Sequence, residues 1–362
     1  MCSEARPYKP NMPIDVLIVG QGLAGGLLAW TLIRRGFCVV VIDDGDDNAS
    51  RVAAGLINPV TGRRLVKSFE VDQWLPLAMA AYRELESTFH NRLFMPLPMH
   101  RLLKTPAEHR LAEQRLHDAG YRAYLQTIDD APSDVVAANG CLLQAQTGYL
   151  RTRPLLEHLR EFFVAKAAYR RTRFDYAELQ LEPDLQWHDL RPRHVVFCEG
   201  HKATANPWFG GLPFQPAKGE ILHCQALHPI PERILNYGYW LIADGPLSFK
   251  TGATFEPNFS DANPSLAARQ KLLDAVASVC PSLASACVIE HRAGIRPTTL
   301  DKQALIGRHP VHANLHIFNG FGAKGSLAIP AHARYFADAL QQQAELPAYC
   351  DIRRYHDTHF PT

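Results

Sequence analysis

The stretch IDVLIVGQGLAGGLLAWTLIRRGFCVVVID, residues 14–43, determines the fold class. Five of its first six residues are apolar and most of these are β-branched, which is typical of a buried parallel strand. A GxGxxG turn follows at residues 20–25, then apolar residues at helical spacing, then a second buried-strand pattern that ends at Asp43. The order strand, glycine turn, helix, strand and acid predicts a dinucleotide-binding βαβ unit.

Each glycine of this turn has a predicted role. Gly20 makes the tight turn, Gly22 lets the backbone approach a pyrophosphate, and Gly25 lets helix and strand pack closely. The N-terminus of the helix offers free N–H groups to the phosphates. Asp43 lies 23 residues after Gly20, where its carboxylate can accept hydrogen bonds from ribose hydroxyls. An acid at this position disfavours NADP and leaves FAD and NAD open.

A second GxGxxG occurs at residues 320–325, after the apolar run Leu315–Asn319 and before another helical pattern. No strand ending in an acid follows it, so a second nucleotide site is not expected. Two readings remain: a tight turn without a ligand, or a helix N-terminus directed at an electron-rich group such as the pyrimidine edge of a reduced flavin. Lys324 would add a full charge to the partial charge of that terminus.

Composition limits the function classes. The 362 residues carry 38 Lys and Arg against 36 Asp and Glu, a formal charge of +2, which argues against a dedicated nucleic-acid binder. A local basic patch stays open, since Arg63, Arg64 and Lys67 form either a solvated cluster or an anion-binding lip. Eight cysteines without CxxC spacing favour a reducing compartment, and the histidines show no metal-ligand spacing.

Coarse patterns place the remaining elements. Residues 16–33 are apolar enough for a membrane span, but four glycines and the absence of a basic leader argue against one, so we expect a cytoplasmic protein without membrane contact. Helices are predicted over residues 69–91 and 264–279. Residues 346–362 are expected to form a peripheral tail.

Several motifs together carry a family resemblance. They are the βαβ unit, SRVAAGLI at residues 50–57, Gly294-Ile295-Arg296-Pro297, and the final turn at residues 320–330. The chain resembles the D-amino-acid-oxidase-like family of FAD-dependent oxidoreductases, which includes glycine oxidase and sarcosine oxidase. The resemblance implies an α/β fold: a discontinuous Rossmann-like FAD-binding domain with an interleaved α+β substrate domain on a mostly antiparallel sheet. The implied FAD-binding pieces are residues 1–92, 141–215 and 293–362, and the substrate-domain pieces are residues 93–140 and 216–292.

Positions that match the family motifs become candidate site residues. The implied FAD-binding residues are Gly20, Gly22, Leu23, Ala24, Gly25, Asp43, Asp44, Ser50, Arg51, Ala53, Gly55, Leu56, Gly200, Gly322, Ala323, Lys324, Gly325 and Ser326. Arg296 matches the arginine that holds the substrate carboxylate, and it is assigned with Lys324 to catalysis. From the sequence alone, Arg296 could instead cap a strand or pair with Asp301. Ala323 stands where glycine oxidase has a second carboxylate-binding arginine.

The resemblance implies an enzyme that oxidises the C–N bond of a small amine or amino acid by hydride transfer to flavin N5, with oxygen or another acceptor reoxidising the flavin. The final turn GFGAKGSLAIP is also similar to the FAD domain of bacterial enzymes that strip a carboxymethyl group from a wobble uridine of tRNA. A tRNA-modifying flavoenzyme is therefore the alternative. Its basic surface would be formed by Arg63 and Arg64 together with Arg151, Arg153, Arg170, Arg171 and Arg173. A flavoprotein without redox turnover is the third reading.

Overall fold

A computed structural model describes residues 13–46 and 48–360. Its first unit is strand Ile14–Val19, helix Leu23–Arg34 and strand Val39–Asp43, which is the βαβ unit that the sequence predicts. Both strands are almost wholly buried because helices cover one face of their sheet and an aromatic cluster around Trp187 and Phe209 covers the other. Buried on both faces, these strands need the continuous apolar runs that the sequence shows.

This sheet has six strands, five of them parallel, and the antiparallel strand lies at one edge. Its order is Tyr169–Arg171, Val39–Asp43, Ile14–Val19, Pro192–Phe197, Leu315–Asn319 and Leu305–Arg308. Its strands come from three separate parts of the chain, so the domain they build is discontinuous. The carboxyl ends of its parallel strands meet at the edge where open α/β sheets bind their ligands.

A second sheet of eight strands is antiparallel except for one parallel pair. Its order is Cys287–Arg296, Ala217–Gln225, Ser248–Gly252, Trp240–Ala243, Ile234–Asn236, Met99–Leu102, Cys141–Gln144 and Leu125–Asp129. The predicted α/β class with a mostly antiparallel second sheet is confirmed. Strand Cys141–Gln144 lies just beyond the predicted end of the first substrate-domain piece at residue 140, and strand Cys287–Arg296 continues past residue 292; the domain limits themselves stay a prediction.

The other elements connect and cover these sheets. The other helices are Ala49–Val52, Val71–Phe89, Pro106–His117, Thr152–Ala165, Leu266–Val279, Gly325–Leu340 and His356–His359. Single helical turns of the 3₁₀ type lie at Ala119–Tyr121, Tyr176–Glu178, Gly200–Ala205, Pro281–Leu283, Gly322–Lys324 and Ile352–Tyr355. Short strands form three small sheets: Leu56–Ile57 with Gly148–Leu150 and Phe94–Pro96, Val60–Thr61 with Val66–Lys67, and Leu179–Gln180 with Gln186–Trp187.

Two predicted helices are present with shorter limits. The helix predicted over residues 69–91 runs from Val71 to Phe89, and the one predicted over 264–279 begins at Leu266, after the cap residue Ser265. The prediction of a peripheral tail is wrong for the part of residues 346–362 that the structure describes. Ile352 is 0% exposed, and the Ile306 N–H donates to the Cys350 carbonyl at 2.9 Å, so this segment packs against the six-stranded sheet. Residues 361–362 lie outside the described ranges.

Neither a bilayer-crossing helix nor a disulfide occurs in the described part of the chain: no helix there is sufficiently long and apolar, and the cysteines there are free thiols.

The cap of helix Leu266–Val279 carries the first testable prediction. The Ser265 hydroxyl accepts a hydrogen bond from the Ala268 N–H at 3.2 Å and donates to the buried Glu220 carboxylate at 3.1 Å. Replacing Ser265 by alanine should lower the free energy of unfolding by about 1–2 kcal/mol. Urea unfolding of the FAD-loaded protein measures this. Ser278→Ala, an exposed change on the same helix, is the control and should have almost no effect.

Candidate active site

The first glycine turn closes tightly onto its neighbours. Gly20 has a φ of +101°, and a Cβ there would come within 2.6 Å of the Cys198 carbonyl oxygen. A Cβ at Gly25 would overlap the Gly20 carbonyl oxygen, so the helix can lie directly on the strand only with glycine at this position. A Cβ at Gly22 would meet only the Ser50 hydroxyl, at 3.3 Å, so Gly22 leaves its side of the turn open.

The Asp43 carboxylate lies directly beneath this turn. One of its oxygens accepts the Gln21 N–H at 2.7 Å and the other accepts the Gly45 N–H at 2.9 Å. The oxygen bonded to Gly45 also accepts the Tyr169 hydroxyl at 3.5 Å. The oxygen bonded to Gln21 keeps a further acceptor site, so Asp43 can hold the loop and still accept a hydroxyl. Its neighbour Asp44 forms an ion pair with Lys202 at 2.7 Å. Lys202 is a residue that the sequence analysis did not single out.

The segment around residues 48–57 is tied to the same turn. Asn48 caps the short helix Ala49–Val52, and the Ser50 hydroxyl accepts the Leu23 N–H at 2.9 Å, which joins this segment to the first helix. Gly55 has a φ of +70°, and a Cβ there would overlap the Leu150 carbonyl oxygen. The close approach of this segment to strand Gly148–Leu150 therefore requires glycine at residue 55.

The second glycine turn lines the same cavity and ends beside the first helix, since a Cβ at Gly325 would lie 3.8 Å from the Leu23 side chain. Gly320 and Gly322 have φ values of +82° and +52°. The Asn319 amide donates to the Gly200 carbonyl at 2.8 Å and thereby connects this turn to the end of the neighbouring parallel strand. The Lys324 ammonium donates to the Ser68 hydroxyl at 3.1 Å, and burial together with the charge of Lys302 lowers its pKa. Asn319 is a second residue that the sequence analysis missed; its one signal is a polar residue at the end of an apolar strand.

These walls enclose one continuous cavity of about 2050 Å³. That volume is roughly twice the upper end of the range for a single small-ligand pocket. Every predicted site residue lines it except Gly25 and Arg51. Gly25 lies under the first turn, and the Arg51 backbone N–H is bonded to the Asn48 cap. The cavity extends from Asp43 to the face of the eight-stranded sheet, where Arg296 lies.

Arg296 ends the edge strand of that sheet with its guanidinium at the cavity wall. Two of its N–H groups donate to the Thr254 carbonyl, at 3.2 and 3.3 Å, and a Cβ at Gly219 would overlap the guanidinium. Asp301 does not pair with it, since Arg354 and Tyr355 hold that carboxylate. No carboxylate in residues 13–46 or 48–360 forms an ion pair with Arg296, and burial lowers the pKa of its guanidinium.

Comparison with known proteins shows the family. The model of the FAD dependent oxidoreductase family matches residues 15–339. The chain belongs to this family. The predicted family, the cofactor FAD and the oxidoreductase class are thereby confirmed.

Similar sequences are of two kinds. A glycine oxidase of Pseudomonas putida is 28% identical over 146 residues, which are 38% of this chain and 40% of that protein. The tRNA 5-methylaminomethyl-2-thiouridine biosynthesis bifunctional protein of Marinobacter nauticus is 25% identical over 92% of this chain and 57% of that protein. The matched parts thus span about half the length of these relatives.

Solved structures agree on the fold. Glycine oxidase from Geobacillus kaustophilus superposes with a TM-score of 0.79 at 21% identity, covering 95% of this chain and 98% of that one. Iminodiacetate oxidase from Chelativorans sp. BNC1 gives 0.78 at 21% identity, covering 94% and 98%. At this identity, the likeness shows the architecture alone.

The residues of the cavity fit FAD. Gly22 and Gly200 leave open space where a side chain would otherwise stand. A Cβ at Gly22 would meet only the Ser50 hydroxyl, and a Cβ at Gly200 would meet nothing within 4 Å. The first helix begins at Leu23 and its N-terminus lies on the cavity wall, where phosphates are stabilised. Asp43 remains available to ribose hydroxyls. Lys324 and the residues of the second turn line the same cavity and would also contact the cofactor.

Proposed function

We propose that this protein oxidises the C–N bond of a small amine or amino acid that carries a carboxylate. The observation that carries the proposal is the Arg296 guanidinium, which lies at the wall of the FAD cavity without a carboxylate partner among the described residues. A buried charge without a counterion is costly, and a bound carboxylate would offset that cost. Thr254 takes one edge of the guanidinium, which leaves N–H groups for the ligand.

Arg296 would act by orientation. Its planar fork can grip both oxygens of a carboxylate, which fixes the adjacent Cα–H relative to the cavity wall. Such positioning can supply up to roughly 7–11 kcal/mol of a barrier in well-oriented systems. FAD, when bound, supplies the hydride acceptor at N5. The substrate nitrogen must be deprotonated, because its lone pair forms the new C=N bond as the hydride leaves Cα.

Lys324 is proposed to stabilise negative charge at the second glycine turn. It precedes helix Gly325–Leu340, so its ammonium adds a full charge to the partial positive charge of that helix end. The ammonium is held by a neutral hydroxyl, that of Ser68. A preorganised cation at this wall favours the reduced, more electron-rich state of the ligand bound there.

The test is the visible spectrum of the purified, FAD-loaded protein under anaerobic conditions. We expect bleaching of the blue flavin band on adding glycine, sarcosine or iminodiacetate. Methylamine, which has no carboxylate, should leave the band unchanged. If methylamine bleaches the flavin as well as glycine does, the carboxylate requirement is wrong. Admitting air afterwards shows whether oxygen or another electron acceptor reoxidises the flavin.

A second candidate substrate is a carboxymethylaminomethyl-type wobble base in tRNA. It is supported by the match to the tRNA-modifying relative over 92% of this chain and by basic side chains along the cavity, those of Arg63, Lys104, Arg173 and Lys202. The second candidate would be favoured if small amines leave the flavin oxidised and full-length tRNA carrying this base reduces it. In that case affinity for tRNA should fall steeply between 50 and about 200 mM salt.

A further inference from the structure

A second cationic side chain in the same cavity has no role in the proposed chemistry. Arg101 lies on strand Met99–Leu102 of the eight-stranded sheet and is 7% exposed. Its Nε has no hydrogen-bond partner within residues 13–46 and 48–360. A guanidinium this deeply buried is almost always paired or hydrogen-bonded, because its desolvation is otherwise uncompensated. Arg101 lines the cavity, so a ligand there can supply the missing partner.

The neighbours of Arg101 form one row across the sheet. The pairing register sets Arg101 opposite Asn236, Asn236 opposite Trp240, and Trp240 opposite Gly252. The side chains of Arg101, Asn236 and Trp240 all line the cavity. The Trp240 indole lies over Gly252, since a Cβ there would come within 3.1 Å of its Cζ2 atom. A guanidinium, an amide and a flat aromatic ring therefore stand side by side.

This row is remote from Arg296. Gly252 pairs with Ile221, so four strand intervals, roughly 19 Å along the sheet, separate Arg101 from Ile221. Ile221 in turn pairs with Arg292, four residues before Arg296 on the edge strand. One small carboxylate cannot contact both arginines. A substrate that uses both must extend along the sheet past Trp240.

Charge at the Arg101 end of the row favours a doubly charged anion. Lys104 lies beside Gly238, where a Cβ would come within 2.7 Å of its Nζ atom, and helix Pro106–His117 begins at the same end with its cap residue Thr105 on the cavity wall. The opposing acid is Glu108. One of its carboxylate oxygens accepts a hydrogen bond from the backbone N–H of Lys104 at 2.9 Å. Two cations and a helix N-terminus thus face one carboxylate.

We propose that Arg101 binds a phosphate of the substrate while Trp240 stacks on a flat ring and Asn236 meets the edge of that ring. This is the chemistry of a nucleotide. The inference rests on the second candidate of the proposed function, the carboxymethylaminomethyl-type wobble base, because the amine arm of that larger substrate would reach Arg296. An aromatic platform is worth about ten-fold or more in affinity for one base. An arginine on a phosphate contributes a further ten- to hundred-fold, because the hydrogen bonds are charge-assisted.

Titration calorimetry of the FAD-loaded protein tests this with uridine 5′-monophosphate, uridine and inorganic phosphate. We expect the monophosphate to bind at least ten-fold more tightly than uridine. Arg101→Met should abolish the higher affinity for the monophosphate and leave uridine binding intact. Trp240→Leu should weaken the binding of both ligands. Arg110→Met, an equal charge change on the exposed face of the neighbouring helix, is the control and should change neither.

Equal affinity for the monophosphate and uridine in the unmodified protein would overturn the proposal, as would an Arg101→Met protein that retains the difference. If Arg101→Met does not retain FAD, Arg101→Lys replaces it and should lose most of the phosphate advantage through loss of the planar fork. The result is separable from the proposed function. Flavin bleaching by glycine without binding of the monophosphate refutes this inference alone, and binding without bleaching by any carboxylate amine refutes the proposed function alone.

Discussion

Arg296→Met should lower kcat/KM for a carboxylate-bearing amine by about two orders of magnitude, or about 3 kcal/mol, while FAD stays bound. The methionine fills a similar volume, but it cannot satisfy a buried carboxylate, and the Thr254 carbonyl loses its donor as well. Most of the loss should be in KM, because the guanidinium contacts the carboxylate both before and during the reaction. Anaerobic flavin reduction at varied substrate concentration measures both parameters.

Arg292→Met is the matched control for this change. Arg292 lies four residues earlier on the same strand, where its guanidinium pairs with Glu290 at 2.5 Å and does not line the cavity. Its loss should leave kcat/KM for flavin reduction within about two-fold of the value for the unmodified protein, because ion pairs at the surface contribute little free energy. Arg296→Lys should recover only part of the lost activity, since an ammonium cannot make the bidentate contact. If flavin reduction by Arg296→Met shows an unchanged KM, Arg296 does not bind the substrate carboxylate.

Gly22→Val should yield a colourless protein that does not bind added FAD. In the folded chain a Cβ at Gly22 meets only the Ser50 hydroxyl, at 3.3 Å, so the fold can accept a side chain at this position with a small adjustment. The added methyl groups would occupy the space that lets the pyrophosphate approach the turn. We therefore expect FAD affinity to fall by at least about a hundred-fold. This corresponds to a loss of about 2.7 kcal/mol of binding free energy, the magnitude expected when several hydrogen bonds to the phosphates are lost.

Gly25→Val separates loss of cofactor from loss of fold. A Cβ at Gly25 would overlap the Gly20 carbonyl oxygen, so this variant should destabilise the apoprotein itself. Flavin content after reconstitution and urea unfolding of the two apoproteins distinguish the outcomes. Gly22→Val should unfold at nearly the same urea concentration as the unmodified apoprotein, whereas Gly25→Val should unfold earlier. A Gly22→Val protein that purified fully yellow would contradict the phosphate-approach argument.

The most local parts of the molecule are those that the sequence predicts best. Residues 14–43 form a strand, a glycine turn, a helix and a strand within thirty residues, and each element is recognisable from its own periodicity. The helix predicted from residue 264 begins at Leu266, two residues later, after the cap residue Ser265. The prediction of a peripheral tail is wrong because Cys350 and Ile352 are buried against the edge strand Leu305–Arg308, a contact between distant segments that no local pattern shows.

The amino-acid sequence predicts the class of fold, the dinucleotide-binding unit and the two glycine turns, because glycine positions and strand–helix alternation are properties of neighbouring residues. The choice of FAD over NAD came from the family resemblance. Which side chains meet depends on the tertiary structure. Lys202 pairs with Asp44 across 158 residues, and Asn319 is bonded to Gly200 across 119. Arg101 and Trp240 share a wall with Arg296 only through the pairing of six strands, two of which are parallel neighbours. Contacts between distant segments depend on register and packing, and no local pattern of residues encodes them.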